Sequence, residues 1–357
     1  MGLEVRRVDP LEMRAAIVDF FWRIRMWPHP TKEDYFRLWD WRYASMSEQK
    51  PIAWVALDGT TVVGHITVLF RTLALDGRRI RAGITANYRV DEPYRSTMVS
   101  GALGNAPRTL IRQGELDLLL AFSNRAASRV VIALGYRELG PMRTWAQVVR
   151  WAPLLRRRSR FLPAFTPLVS GAVRAHKVLR GARTPQLPEE LTARILSANE
   201  LIGLDRSHWE HHGGLTWDGT TAAFAKHFSP SESRASRVLG VIDRRSGRLE
   251  GLVALEGVND LQILQCSVNE SALSAVQAVE LAIQASPDVE IVRVPLLPQT
   301  NLAAAFRNAG YFELPAAYSA AVLRGTFWSA YWPKEHPLAA ALADTRAWNL
   351  WYGWSHH

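Results

Sequence analysis

The sequence predicts an α/β protein of two tandem domains, each an α+β fold on a mixed sheet. A basic linker joins them and a Trp-rich C-terminal tail follows. Three observations carry that expectation. Over residues 3–150, strand and helix patterns alternate, with both hairpin turns and a strand–helix–strand crossover. The order reads strand, two helices, three strands, helix, strand, helix, strand. A similar order returns over 191–311 with drifted sequence, as after duplication of one domain. Between the two lies a proline-punctuated basic stretch, and residues 326–357 hold five tryptophans. The expected divisions are 1–150, a linker at 151–187, 188–326, and a tail at 327–357.

The elements follow in order. Residues 3–8 read as a strand. After Pro10, the apolar Met13, Ile17, Phe20, Phe21 and Ile24 recur at helical spacing. Thr31 is an N-cap ahead of Glu33 and Asp34, starting a helix that carries Tyr35, Leu38 and Trp39. Residues 52–57 and 62–69 flank Asp58-Gly59 as a hairpin. Asp76-Gly77 turns into a strand at 80–90. A helix is expected at 97–112, a buried apolar strand at 116–122, a short helix at 128–134 and a closing strand at 144–149. The second copy is read as strand 191–196, helix 198–212, hairpin strands 237–243 and 249–256, strand 260–268, helix 271–285, strand 289–294 and helix 301–308. Both copies end a helix on Gly-Tyr, at Gly135-Tyr136 and Gly310-Tyr311. The aromatic tail is costly to leave in water, so it is expected to pack back onto a domain or a partner.

Composition narrows the function classes. At 357 residues, with 48% apolar and 21% charged, the chain is globular and long enough for two ordinary domains. The lone cysteine, Cys266, excludes an internal disulfide framework. No apolar run of about 18 residues occurs, and the first residues lack the apolar core of a signal peptide. The expected location is cytoplasmic. The net charge of +10 is uneven: residues 143–183 carry ten Lys and Arg and no acid. Such a block suits a polyanion or an anionic membrane surface, or is a solvated spacer, which is the default. Aromatics do not interleave with the basics as stacking platforms, so no nucleic-acid partner is expected. His208 and His212 stand four apart within a segment read as helix, but Glu210 is not placed as in His-Glu-x-x-His; no metal site is expected.

The most informative stretch runs from Val90 to Tyr136. A strand ends at Val90, the chain turns through Asp91-Glu92-Pro93-Tyr94-Arg95, and a helix begins. Phe122-Ser123-Asn124-Arg125-Ala126-Ala127 and Ala133-Leu134-Gly135-Tyr136 follow. That order resembles the acyl-CoA-binding half of the GCN5-related N-acetyltransferases, in tandem here, with the second copy degenerate. The resemblance implies acetyl-CoA, or another acyl-CoA, as co-substrate. Its pyrophosphate would meet the helix start at Val90, Arg95, Ser96, Thr97, Met98, Val99, Ser100 and Gly101. Unpaired backbone donors and the positive dipole end favour a phosphate there. The family loop reads Arg/Gln-x-x-Gly-x-Gly/Ala. Arg95 matches, Met98 and Ser100 replace small residues, and Gly101 comes one place late. Asn124 and Ala127 match a second anchor beside the pantetheine; Asn124 is equally an N-cap.

The resemblance further implies direct attack by an amine on the thioester, with a base for the amine proton and an acid for the departing thiolate. The usual tyrosine acid is replaced by Val131, so Tyr136 or Tyr88 would have to substitute. A thiolate can also leave unaided, since a thiol pKa of about 8.5 is low enough. For the base, Asn87 and Tyr88 are the polar candidates on the strand, with Asp91 and Glu92 reachable through water. In the second copy the loop pattern is absent and Phe306 takes the tyrosine position, so that half is read as structural. Trp39-Asp40-Trp41-Arg42-Tyr43 suits a sugar-like acceptor, or is a helix end packed on the sheet. The expected activity is N-acyl transfer to a small-molecule amine or amino sugar. The alternative is a non-catalytic acyl-CoA-binding protein.

Overall fold

The computed structural model describes residues 2–45, 47–95, 98–158, 162–179, 185–209, 214–228, 236–323, 326–349 and 351. The first half opens with β1 (Leu3–Val8), α1 (Arg14–Arg23) and α2 (Lys32–Ser45). Thr31 caps α2 as expected: its Oγ1 accepts from the Asp34 amide at 3.2 Å, while Asp34 accepts from the Thr31 amide. The hairpin β2 (Ile52–Asp58) and β3 (Thr61–Leu75) follows, then β4 (Arg78–Val90). Asp76 and Gly77 turn β3 into β4 with φ of 50° and 74°, the left-handed pair that a tight hairpin needs. The helix expected at 97–112 is two pieces, α3 (Met98–Asn105) and α4 (Arg108–Arg112). Pro107 breaks it, having no N–H to donate and a ring that crowds the preceding turn. β5 (Leu118–Ser123), α5 (Arg125–Ala133) and β6 (Arg137–Pro141) complete this half.

The chain then runs through β7 (Arg143–Val148), α6 (Trp151–Arg158), a 3₁₀ turn and α7 (Thr166–Leu179) into β8 (Leu191–Leu196). The helix expected at 198–212 is the single-turn α8 (Ala198–Gly203); β9 (Thr216–Trp217) and α9 (Thr221–Phe228) come after it. β10 (Ser236–Asp243), β11 (Leu249–Glu256) and β12 (Asp260–Val268) agree with the sequence reading. α10 (Ala275–Gln284) starts later than expected, because Ser274 and Gln277 form a capping box. β13 (Ile291–Leu296), α11 (Asn301–Asn308), β14 (Phe312–Glu313), α12 (Ala316–Val322), β15 (Phe327–Tyr331) and α13 (Ala339–Ala343) follow.

The two main sheets have matching topology. The first runs β1-β2-β3-β4-β5-β15-β6, with β9 joining β3 to one side; the second runs β8-β10-β11-β12-β13-β7-β14. Along each main order one pair is parallel, β4–β5 and β12–β13. The strand expected at 144–149 was to close the first sheet, but β7 pairs with β13 and β14 in the second. The matching place in the first sheet is taken by β15 from the tail, which pairs with β5 and β6. The halves have exchanged their last central strands. Gly135 and Gly310 end α5 and α11 in the same left-handed conformation, φ 88° and 89°, and each is followed by a buried tyrosine.

Strand alternation divides the core. Leu119, Ala121, Ile66 and Val68 pack with Leu103 of α3 and Leu110 of α4. Leu118, Leu120, Ile84 and Leu69 share a core with Leu252, Leu264, Phe224, Phe228, Trp328, Trp332 and Trp348, so one cluster spans both halves. Trp351 joins the second half's own core. The tail therefore packs back onto the protein; Trp354 lies outside the described residues. No described helix is long and apolar enough to cross a membrane.

Candidate functional site

The site is built where β4 and β5 part. Their parallel ladder runs from Ala82↔Leu118 to Thr85↔Ala121 and stops. Two residues later, Asn87 adopts φ 56°. The β3–β4 register shifts between His65 and Thr67, the mark of a bulge that sets an extra residue of β4 at this point. Asparagine is among the few side chains that tolerate this backbone. The two strands share no ladder pair past this point, with Ala86–Tyr88 beyond its end on β4 and Phe122–Ser123 beyond it on β5. At the end of β5, the Ser123 hydroxyl is buried with no hydrogen-bond partner.

A buried polar network holds the bulge. Arg42 Nη1 donates to Asn87 Oδ1 at 2.8 Å, and Asn87 Nδ2 donates to the Tyr43 hydroxyl at 3.4 Å. His65 Nδ1 lies 3.1 Å from the Asn87 carbonyl, and its Nε2 lies 3.3 Å from the Tyr43 hydroxyl. A carbonyl only accepts, so Nδ1 carries the proton and Nε2 accepts from tyrosine. His65 is fully buried, and burial lowers its pKa to about 4. Burial likewise raises Tyr43. Trp39 stacks on Tyr43 at 3.6 Å between ring centroids, and Arg42 lies over Trp27 at 5.0 Å. The aromatic segment of α2 thus splits by periodicity: Trp39, Arg42 and Tyr43 face the sheet, while Asp40 is exposed and pairs with Arg14. Sequence reasoning named this segment as a sugar-like acceptor site or a helix end packed on the sheet, and passed over His65. Its signal was a single imidazole inside the apolar run Val62–Leu69.

The phenols named as acids are otherwise engaged. The Tyr88 hydroxyl donates to the Ser100 carbonyl at 3.0 Å, pinning α3 to β4. Tyr136 is buried in the core, where burial raises its pKa. Val131 packs half-buried against the same cluster. Asp91 accepts from the Glu92 amide and pairs with Arg23 at 3.2 Å, and Glu92 is exposed.

At the phosphate turn, Arg95 Nε donates to the Val90 carbonyl at 3.1 Å. Desolvation and the like charge of Arg95 both lower the Arg89 pKa, so two guanidinium groups share this end of β4. Met98 is 91% exposed, Val99 is buried, and a side chain built at Gly101 would meet nothing within 4 Å. Ser96 and Thr97 lie outside the described residues. Asn124 caps α5, accepting from the Ala127 amide at 2.9 Å.

No family model matches this chain, and no curated protein matches it. Among solved structures it is similar to an N-acetyltransferase related to GCN5 from Kribbella flavida, TM-score 0.54 and 16% identity over 95% of this chain and 72% of that one. It is similar to another from Anabaena variabilis ATCC 29413, TM-score 0.55 and 10% identity over 92% and 72%. A third, a probable N-acyltransferase of Enterococcus faecalis V583, has TM-score 0.56 and 10% identity over 93% and 73%. The chain has the GCN5-related N-acetyltransferase fold. Its matching sheets carry two copies of it.

In the second copy the equivalent positions are buried and bonded among themselves. The β12–β13 ladder ends at Gln262↔Arg293, but Gln265 and Ser267 beyond it are buried and bonded to each other. The N-terminus of α10 is satisfied by its own capping box, and Asn269 is held by Glu250 at 2.7 Å. Phe306 is fully buried. His208 sits in a turn, not a helix, beside Glu250 at 3.5 Å, and His212 lies outside the described residues. No group of three metal-ligating side chains is assembled among the described residues.

Proposed function

We propose that the protein is an acyl-CoA-dependent N-acyltransferase that uses the cleft of its first copy. The carrying observation is the left-handed bulge at Asn87 beside the parting of β4 and β5. A bulge takes backbone donors out of the ladder and can aim them at a thioester carbonyl. The fit to acyl-CoA rests on three features. The buried Ser123 hydroxyl lacks a partner where a pantetheine amide would pass. The first-turn amides of α3, Met98 to Gly101, have no acceptor within their helix. Arg89 and Arg95 supply positive charge beside them. Acetyl is the acyl group and a small amine, sugar-like in character, the acceptor that this reading favours.

In this reading Asn87 sets the donor geometry, and Arg42, Tyr43 and His65 hold Asn87. His65 is a positioning residue, because its depressed pKa makes it a weak base at neutral pH. The amine attacks as the free base or loses its proton to water in the cleft. The thiolate leaves without a protein acid. One observation favours the second reading, a non-catalytic acyl-CoA-binding protein: Tyr88 is bonded to backbone and Tyr136 is held in the core, so neither is free to donate.

Gly101→Asp tests the site. The new side chain enters open space, and an acid in the first turn favours the helix by about 0.3–1 kcal/mol. It also places a carboxylate against the pyrophosphate. Acetyl-CoA affinity, measured by calorimetry on the whole chain, should fall about tenfold or more while the melting temperature holds or rises. Unchanged affinity would remove the assignment. Release of free CoA with a panel of amines separates enzyme from binder: binding without amine-dependent release selects the second reading.

A further inference from the structure

We infer that the helical hairpin of α6 and α7 docks the protein on an anionic lipid surface. The charge distribution singles out this part of the chain. Residues 139–188 contain ten Lys and Arg and no Asp or Glu. With 43 basic and 33 acidic residues in all, the rest of the chain is formally neutral. The whole net charge of +10 falls in this stretch of sequence, in which Arg143, Arg150 and Arg157 pair with Glu313, Asp288 and Glu290 from outside it.

The structure adds an apolar stripe that the sequence left unnoticed. α7 packs against α6 and the 3₁₀ turn Leu162–Phe165 that leads into it. Thr166, Val169 and Ser170 are half-buried on that side. Phe165 is 51% exposed and Leu168 is 69% exposed. Ala172 and Ala175 are exposed too. Spacings of four and three place Leu168, Ala172 and Ala175 on one face of α7, with Phe165 in the turn that leads into it. The hairpin is rooted at its base. Arg150 Nε donates to the Val289 carbonyl at 3.0 Å, and Arg157 pairs with Glu290 at 2.9 Å.

An apolar stripe alone would not identify its occupant. Charge complementarity does. Weak apolar insertion combined with a polybasic surface gives stable attachment to a bilayer, where either signal alone is marginal. A nucleic acid would use the charge but not a protruding Phe and Leu. The candidate acyl-transfer cleft draws on Arg89 and Arg95, which are not in this segment.

The test is co-sedimentation of the intact protein with vesicles of phosphatidylcholine, with and without phosphatidylglycerol. Binding is expected only with the anionic lipid and should fall as salt rises. Phe165→Ser with Leu168→Ser should lower the partition coefficient about tenfold with unchanged melting, since both side chains are exposed. Changing Arg156, Arg158 and Arg160 together to Ser should lower it about a hundredfold, roughly fivefold per charge. Phe165→Cys carrying a polarity-sensitive dye should blue-shift on anionic vesicles; Cys266, the other cysteine, is buried and escapes labelling. No vesicle binding at low salt overturns the proposal. So does binding that the Phe165/Leu168 pair leaves intact, retention on duplex DNA without vesicle binding, or a dimer lost in that pair without vesicle binding.

Discussion

Asn87 and His65 show how single residues set this site. Asn87 pairs a left-handed backbone with an amide that bonds Arg42 and Tyr43. Glycine reproduces the backbone and loses the amide; valine loses both. Asn87→Val should therefore be less stable than Asn87→Gly by about 1–2 kcal/mol, the cost of left-handed φ for a side-chain-bearing residue. Denaturant midpoints measure the difference, and equal midpoints would mean the bulge relaxes in both. His65 makes a pH prediction. Burial lowers its pKa from 6.5 to about 4, so the unfolded chain binds the proton more readily than the folded one. Its contribution is full above pH 6.5 and is lost as pH falls toward 4, on the order of 3 kcal/mol across that window. His65→Gln should flatten the fall in melting temperature over that range relative to the parent. Parallel curves would show that His65 does not titrate there. Asn87 was legible from the sequence as a polar residue on an apolar strand. His65 was not singled out, because an imidazole within a buried strand gives no local sign of the partner that α2 brings to it.

At the scale of elements, local chemistry was readable and long-range pairing was not. The Thr31 cap, the Asp58-Gly59 and Asp76-Gly77 turns, and the continuous apolar run of β5 each carry their cause within a few residues. Pro107 carried its cause too, yet the amphipathic pattern on both sides of it read as one helix. The partner of β7 could not be read at all. Its alternation suits the edge of either sheet, and nothing local records that β15 fills the first sheet from 180 residues downstream. β15 is central, with Ser329 opposite Ala121 on one side and Glu138 on the other. Proline there removes a ladder donor from a strand with neighbours on both sides. Ser329→Pro should cost about 3 kcal/mol or more in equilibrium unfolding. A loss within experimental error would demote β15 to an accessory strand.

The exchange of β7 and β15 governs the whole molecule. A simple tandem protein can be cut at its linker into two folding units. Here, residues 1–184 lack the strand between β5 and β6, and residues 185–357 lack the strand between β13 and β14. Each fragment would expose unpaired backbone along a central strand and leave the shared apolar cluster half open. Neither fragment should give a cooperative melt alone. Expressed together they should associate one to one, because each supplies the strand the other lacks. The complex should be weaker than the intact chain, since a covalent connection replaces bulk concentration with a higher local one. Size-exclusion chromatography after co-expression measures association, and calorimetry with acetyl-CoA reports whether the first copy's cleft has re-formed. If residues 1–184 alone run as a compact monomer and bind acetyl-CoA as tightly as the intact chain, the cleft does not depend on β15. If only the mixture binds, the ligand site in one half is completed by a strand from the other. Loss of the C-terminal tail would then abolish binding by removing the strand that pairs with β5.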